Sequence, residues 1–325
     1  MLNFIIPFII LILVVVFIHE YGHYYFAKKY GVGVTDFSIG FGNELFGWND
    51  KSGTRWKICW IPLGGYVKFF GDRNVFSQSD QKELINKYNK EEREKLFILK
   101  PLYQRSIIVA AGPIANFVLA VFIFLFIYMF VGKDFTPAVI NEVQIESPAA
   151  KAGLKKNDII LEIDGTEVKS LLDVSKLITM STAEFIDFKV SRYDQDILLK
   201  VKPKIVPSID NLGNKLNKRI VGIKLGAFNN QINHVKLGPA KALYYSLNEV
   251  YFVTVSSLKY LGSMLSGSGD SSQLGGPIRI AKITGQVANF GIIPFLSLMA
   301  YISISLGLIN LFPIPLLDGG HLMFY

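Results

Sequence analysis

Three ionisable side chains, His19, Glu20 and His23, lie inside the first apolar stretch of this 325-residue chain. Residues 2 to 18 are apolar apart from Asn3, and the run continues to Ala27 before Lys28 and Lys29. A helix of about 20 residues crosses the hydrocarbon core of a bilayer. Within lipid, only helices and closed barrels satisfy every backbone polar group. Residues 1–30 therefore read as a first transmembrane helix. No positive charge precedes the run and no small-x-small site follows it, so a removable leader fits poorly.

Half of the residues are hydrophobic, which suits several spans together with a water-exposed portion. The net charge of +8 is scattered over many segments, without the basic, aromatic-studded stripe of a nucleic-acid groove, so nucleic acid is not an expected partner. Basic loops beside apolar spans instead set orientation in the bilayer. The single cysteine, Cys59, excludes an internal disulfide framework and reads as a half-buried filler.

Residues 31–103 form a polar loop after the first span. Within it, Thr54 to Phe70 (TRWKICWIPLGGYVKFF) alternates like two strands around a turn at Gly64-Gly65, and 78–95 reads as a charged, solvated helix. Residues 104–132 give a second span, interrupted by Gly112, Pro113 and Asn116. Between 136 and 206, short β-branched runs alternate with turns around a helix near 172–180, giving a small α+β domain with its own core. Its acidic residues Asp158, Glu162 and Asp164 read as solvated loop and strand charges. Residues 207–290 read as a linker followed by membrane-surface helices: 207–239 is a loop with short strands, and GSGDSSQLGG (267–276) is a flexible loop. For 240–265, crossing the membrane and lying on it are both compatible with the helical periodicity. The last apolar stretch, within 291–325, is long enough to span.

The pattern His19-Glu20-Tyr21-Gly22-His23 carries the chemistry. Residues four apart on a helix project from one face, so two imidazoles can hold one ion. Glu20 lies about 100° round the helix and can reach a metal-bound water as general base. Ionisable groups inside an apolar span are costly and mark function. Zinc in a catalytic site takes three protein ligands and a water. The third ligand must come from elsewhere. His234 lies outside any span, whereas Asn310-Leu-Phe-Pro-Ile-Pro-Leu-Leu-Asp-Gly-Gly-His321 ends the last one. Pro313 and Pro315 break the helix there, and both Asp318 and His321 are eligible ligands.

Orientation tests whether the two ends can meet. The N-terminus has no Lys or Arg and the loop after the first span has many, which places that loop in the cytoplasm. The second span returns outward, leaving the 136–206 domain outside. If 240–265 stays on the surface, the last span descends and brings Asp318 to the cytoplasmic side, where His19 and His23 lie. The metal site thus favours the surface helix.

HEYGH, AAGPIAN (110–116), the SPAAKAGLKKNDIILEIDG segment of a PDZ-like insert, and NLFPIPLLDGGH (310–321) occur in this order. Together they resemble the site-2 protease family of intramembrane zinc metallopeptidases, M50 type, and its bacterial regulator-of-sigma-E protease branch. The resemblance implies a multi-span α-helical protein of the bacterial inner membrane with an inserted PDZ-like domain and a membrane-associated β-hairpin to which residues 64–72 belong. It implies zinc held by His19, His23 and Asp318, Glu20 as base, Asn310 holding substrate backbone, and His321 outside the ligand set. Expected partners are single-span membrane proteins as substrates, the lipid bilayer, and a peptide ligand for the PDZ-like domain. Well-known members of the branch carry two PDZ domains, and this chain has room for one. A non-catalytic membrane scaffold with a PDZ domain is the alternative, distinguished by zinc content.

Overall fold

The computed structural model describes residues 2–72, 81–181, 183–209, 215–227, 233–266 and 275–323. Two units are distinguished, Met1–Phe124 with Ile280–Tyr325, and Leu125–Arg279.

In the first unit, α1 (Leu2–Lys29) is one unbroken helix of 28 residues. At 1.5 Å per residue it measures about 42 Å, more than a hydrocarbon core requires. Strands β1 (Val34–Asn49) and β2 (Arg55–Phe69) follow. Their register shows that each doubles back. Phe37 pairs with both Val67 and Trp56, and Ser38 with both Tyr66 and Lys57, whereas Trp48 and Asn49 pair again with Trp56 and Arg55. Residues 34–39 therefore lie between two passes of β2.

The chain reverses at Asp50–Thr54 between the two strands, and β2 itself turns back between Ile58 and Gly65, beside the Gly64-Gly65 turn expected from the sequence. The Asp50 carboxylate accepts from the backbone N–H groups of Ser52 (2.8 Å) and Thr54 (2.9 Å) and from the Trp56 indole (3.2 Å), the self-bonding that makes aspartate a turn former. Gly64 and Gly65 lie within β2 and serve close approach. Gly64 has φ +108° where the strand bends across the Phe41 ring, and a Cβ on Gly65 would lie 3.0 Å from Glu20 Cγ. The expected charged helix is two short ones, α2 (Gln81–Lys87) and α3 (Lys90–Arg93). The break is at Asn89, whose side chain accepts from Glu92 N (2.9 Å) while Glu92 returns a bond to Asn89 N (3.0 Å). Cys59 is fully buried rather than half-buried, 3.3 Å from Ser38 Oγ. A short 3-10 turn (Phe97–Leu99) leads to α4 (Leu102–Phe130), which continues through Pro113 without interruption.

The second unit centres on a six-stranded sheet. Bridge β3 (Lys133–Asp134) precedes β4 (Ala138–Val143), α5 (Pro148–Ala152), β5 (Ile159–Ile163), bridge β6 (Thr166–Glu167) and α6 (Leu171–Met180). Next come β7 (Ile186–Arg192), β8 (Gln195–Val201), the hairpin β9 (Lys204–Ile209) and β10 (Lys215–Ile220), then β11 (Ile223–Ala227) and bridge β12 (His234–Val235). The sheet order is β11-β4-β5-β7-β8, with β6 on β5. The domain thus does not end at 206: β11, one of the short strands expected within 207–239, pairs antiparallel with β4 and completes the sheet. Ile140, Ile160, Ile163, Val174, Ile186, Phe188, Val190 and Val201 form its core, each contributing about 1.5–3 kcal/mol by burial. Ser170 begins α6 with a capping box through Asp173. Asp158 is not a solvated charge. It is fully buried, accepting from Arg192 Nε (2.7 Å) and Nη2 (2.8 Å) and from Lys155 N (2.8 Å).

Helix α7 (Pro239–Leu265) buries Ala242, Ser246, Val250 and Val253, and exposes Leu243, Tyr244, Leu247, Tyr251 and Leu258. It rests on α6 through the Glu249–Lys176 ion pair, with Lys176 Nζ 4.4 Å from the Phe252 ring centroid. The loop expected over 267–276 lies, apart from Gly275 and Gly276, outside the described residues. Helix α8 (Pro277–Ala288) precedes α9 (Ile292–Asn310), and after a proline-containing break α10 (Asp318–Met323) follows. Among the described residues, three helices are long and apolar enough to cross a membrane: Phe4–Lys29, Leu102–Phe130 and Ile292–Asn310. Helix α7 is not among them.

Candidate metal centre

His19 and His23 lie one turn apart on α1, both buried, with Nε2 atoms 3.3 Å from each other. Two glycines allow this against α4. A Cβ on Gly22 would collide with the Ala111 carbonyl, and a Cβ on Gly112 would collide with both imidazoles. The two helices therefore meet at backbone distance, as small residues permit in apolar helix pairs. His23 Nδ1 is 2.9 Å from the Ile108 carbonyl, which accepts its proton and leaves Nε2 free for a metal.

The third group comes from the far end of the chain. Asp318 opens α10, and Gly319 and Gly320 fold that helix tightly onto the preceding break. Side chains there would strike the carbonyls of Leu311 and Phe312, and of Ile314. Asp318 Oδ2 thereby reaches 3.1 Å from His19 Nε2 and 3.5 Å from His23 Nε2. Among the described residues, His19, His23 and Asp318 form the cluster able to hold a metal ion. His321, the other candidate from spacing, is outside that cluster, and His234 is exposed on β12 in the other unit.

The donor triangle can be tested for fit. A tetrahedral zinc with ligands at about 2.0–2.1 Å has edges of about 3.3 Å between ligand atoms. The observed edges of 3.1, 3.3 and 3.5 Å match three corners of such a tetrahedron. Asp318 Oδ2 is also buried without a hydrogen-bond partner, an orphan that a cation satisfies. Two imidazoles and one carboxylate are a zinc donor set, and the residues fit the ion.

Glu20 is buried beside the triangle, close enough to both histidines and to Asp318 for direct electrostatic interaction. The backbone N–H of Val67 in β2 serves its carboxylate. Asn310 ends α9 with Nδ2 3.3 Å from His19 Nε2, at the rim of the same cluster. The structure thus brings together all five residues singled out from the sequence: His19, Glu20, His23, Asn310 and Asp318.

Other contributors escaped sequence reasoning. Tyr24, next to His23, donates its hydroxyl to Asp50 (2.9 Å) and stands edge-on to Phe37 and Trp56, which fastens the sheet to α1 beside the metal ligands. Its only signal was an aromatic residue adjoining the motif. The Asp50 carboxyl is held well below the usual carboxylate range by its bonds to Ser52, Thr54, Trp56 and Tyr24. Gly22 and Gly112 stood in the quoted motifs, but which neighbour each admits is a tertiary fact.

The family model of peptidase family M50 matches residues 7–325. The chain belongs to peptidase family M50. Relatives of this M50 chain include a protein of Agrobacterium fabrum named as a zinc metalloprotease, 41% identical over 99% of this chain and 85% of the relative. Another of that name, from Rhizobium meliloti, is 40% identical over 100% and 87%. The metalloprotease MmpA of Caulobacter vibrioides is 35% identical over 96% and 83%. Among solved structures, the PDZ domain of an SdrC-like protein from Listeria monocytogenes covers 28% of this chain and 88% of its own, at 24% identity and a TM-score of 0.23. The M50 chain is a metalloprotease, with zinc as its cofactor.

Proposed function

We propose that this protein is an intramembrane zinc endopeptidase that cuts single-span membrane proteins in or near their transmembrane segments. His19, His23 and Asp318 hold the metal, Glu20 is the general base, and Asn310 binds substrate backbone. The observation that carries this reading is the convergence of three ligand atoms, on edges of 3.1–3.5 Å, among helices apolar enough to cross a bilayer.

Bound zinc supplies Lewis acidity, lowering the pKa of a bound water and polarising the scissile carbonyl. Glu20 takes the proton of the attacking water and delivers it to the leaving amine. Its burial keeps bulk water from competing for that proton. Asn310, at the rim, offers its amide to a substrate carbonyl. A transmembrane helix hides its carbonyls in internal hydrogen bonds, so the substrate must unwind first. Pairing with the outer pass of β2, beside Glu20, replaces bonds lost on unwinding. The PDZ-like domain, placed outside the cell membrane by the charge asymmetry of the loops, admits substrates as a size filter or a peptide sensor, and the active site faces the cytoplasm of a bacterial inner membrane. Anti-sigma factors and remnant signal peptides are substrates of the expected class.

Glu20→Gln tests the assignment. Purified variant should retain zinc at wild-type stoichiometry and lose cleavage of a single-span reporter in liposomes. Continued cleavage rules out Glu20 as the base, and wild-type protein that holds no zinc and never cuts such a reporter favours the scaffold alternative.

A further inference from the structure

Asn116 closes the AAGPIAN motif and is fully buried on α4, 3.3 Å (Nδ2) from His19 Nδ1. Its backbone carbonyl accepts the Ser303 hydroxyl of α9 at 2.8 Å. Its side-chain Oδ1 is buried with no hydrogen-bond partner. An amide that deep in apolar surroundings is costly unless something uses it.

The chemistry of His19 says what does. Its Nε2 is the atom aimed at the Asp318 and His23 donors. A neutral imidazole that gives Nε2 to a metal carries its proton on Nδ1, and that proton needs an acceptor. For His23 the acceptor is the Ile108 carbonyl. For His19, the polar group given at Nδ1 is the Asn116 amide. A half-turn about the Asn116 Cβ–Cγ bond exchanges Nδ2 for Oδ1, which sets the unpartnered acceptor against the Nδ1–H and satisfies both.

We propose that Asn116 is the positioning residue of His19: its Oδ1 accepts the Nδ1–H, fixes the tautomer, and commits Nε2 to the metal. The two ligating histidines are thus oriented from one helix, His23 by main chain and His19 by side chain. The inference rests on the zinc-ligand reading above.

Zinc affinity of the purified full chain, measured by competition with a chromophoric chelator, separates the possibilities. Asn116→Leu keeps the volume and removes the acceptor, and Asn116→Ala removes the acceptor without adding bulk. Both should weaken zinc binding by about 10–100-fold. Asn116→Asp keeps an acceptor at the same reach and should bind zinc within a few-fold of wild type. Ser303→Ala, which loses the packing bond to the Asn116 carbonyl but leaves the amide intact, should not change affinity. Wild-type affinity in the folded Leu and Ala variants overturns the proposal. So does an Asp variant as weak as Leu, because a donor role would then be indicated. A wild-type chain that binds no zinc overturns the ligand reading itself, a different failure from either.

Discussion

Gly112 has no side chain, and the space a methyl would fill holds the edges of two imidazoles. Gly112→Ala should therefore cost zinc affinity roughly 100-fold while α4 itself gains helix propensity, a combination measured by chelator competition alongside circular dichroism. A variant that binds zinc normally would mean that α1 and α4 can part without loss. Asp318→Ala should abolish stoichiometric zinc, and full occupancy in that variant would transfer the third ligand to His321. The HEYGH spacing made two ligands and a base legible, because i, i+4 geometry is local and follows from the helix alone. The third ligand was not legible by spacing, since both Asp318 and His321 sit past a proline break whose backbone path decides which one turns inward. The glycines that fold α10 back select Asp318.

At the scale of elements, the β1–β2 sheet is tied to α1 by the Asp50 carboxylate and Tyr24. Asp50→Ala should destabilise the protein by roughly 1–2 kcal/mol in thermal unfolding. Because its folded pKa is depressed, the Asp50 contribution is present above about pH 4 and fades as pH falls below it. Asp72, just after β2, behaves oppositely. Burial pushes it up to about 6, so the native state binds the extra proton between about pH 4 and 6 and stability drops as pH rises through that window. Asp72→Asn should raise the Tm at pH 8 and leave it unchanged at pH 4; equal values at pH 8 would mean that Asp72 is solvated. The strands themselves were visible as alternation, and so was the reversal beside Gly64-Gly65, whereas the second reversal at Asp50–Thr54 was not. The Gly-Gly pair serves both the reversal and the close approach of Phe41 and Glu20, and only the first of these is a local signal.

At the scale of the whole chain, the α+β domain of the second unit has a core of its own, but its sheet closes only with β11. A fragment of residues 133–227 should unfold cooperatively in urea, whereas one of 136–206 should not, since its β4 edge and apolar face are left uncovered. A cooperative transition in the shorter fragment would show β11 to be dispensable. That boundary escaped the sequence because β11 is five residues long, glycine-containing, and pairs with a strand about 80 positions earlier, a contact no local pattern encodes. The metal centre spans a still greater separation, with Asp318 lying 295 positions after His23. During synthesis the ribosome completes the first histidine pair long before their carboxylate partner exists, and the intervening loop must close before an ion can be gripped. The three-donor cluster is complete only once Asp318 has been made, so the order of synthesis itself delays the grip on an ion.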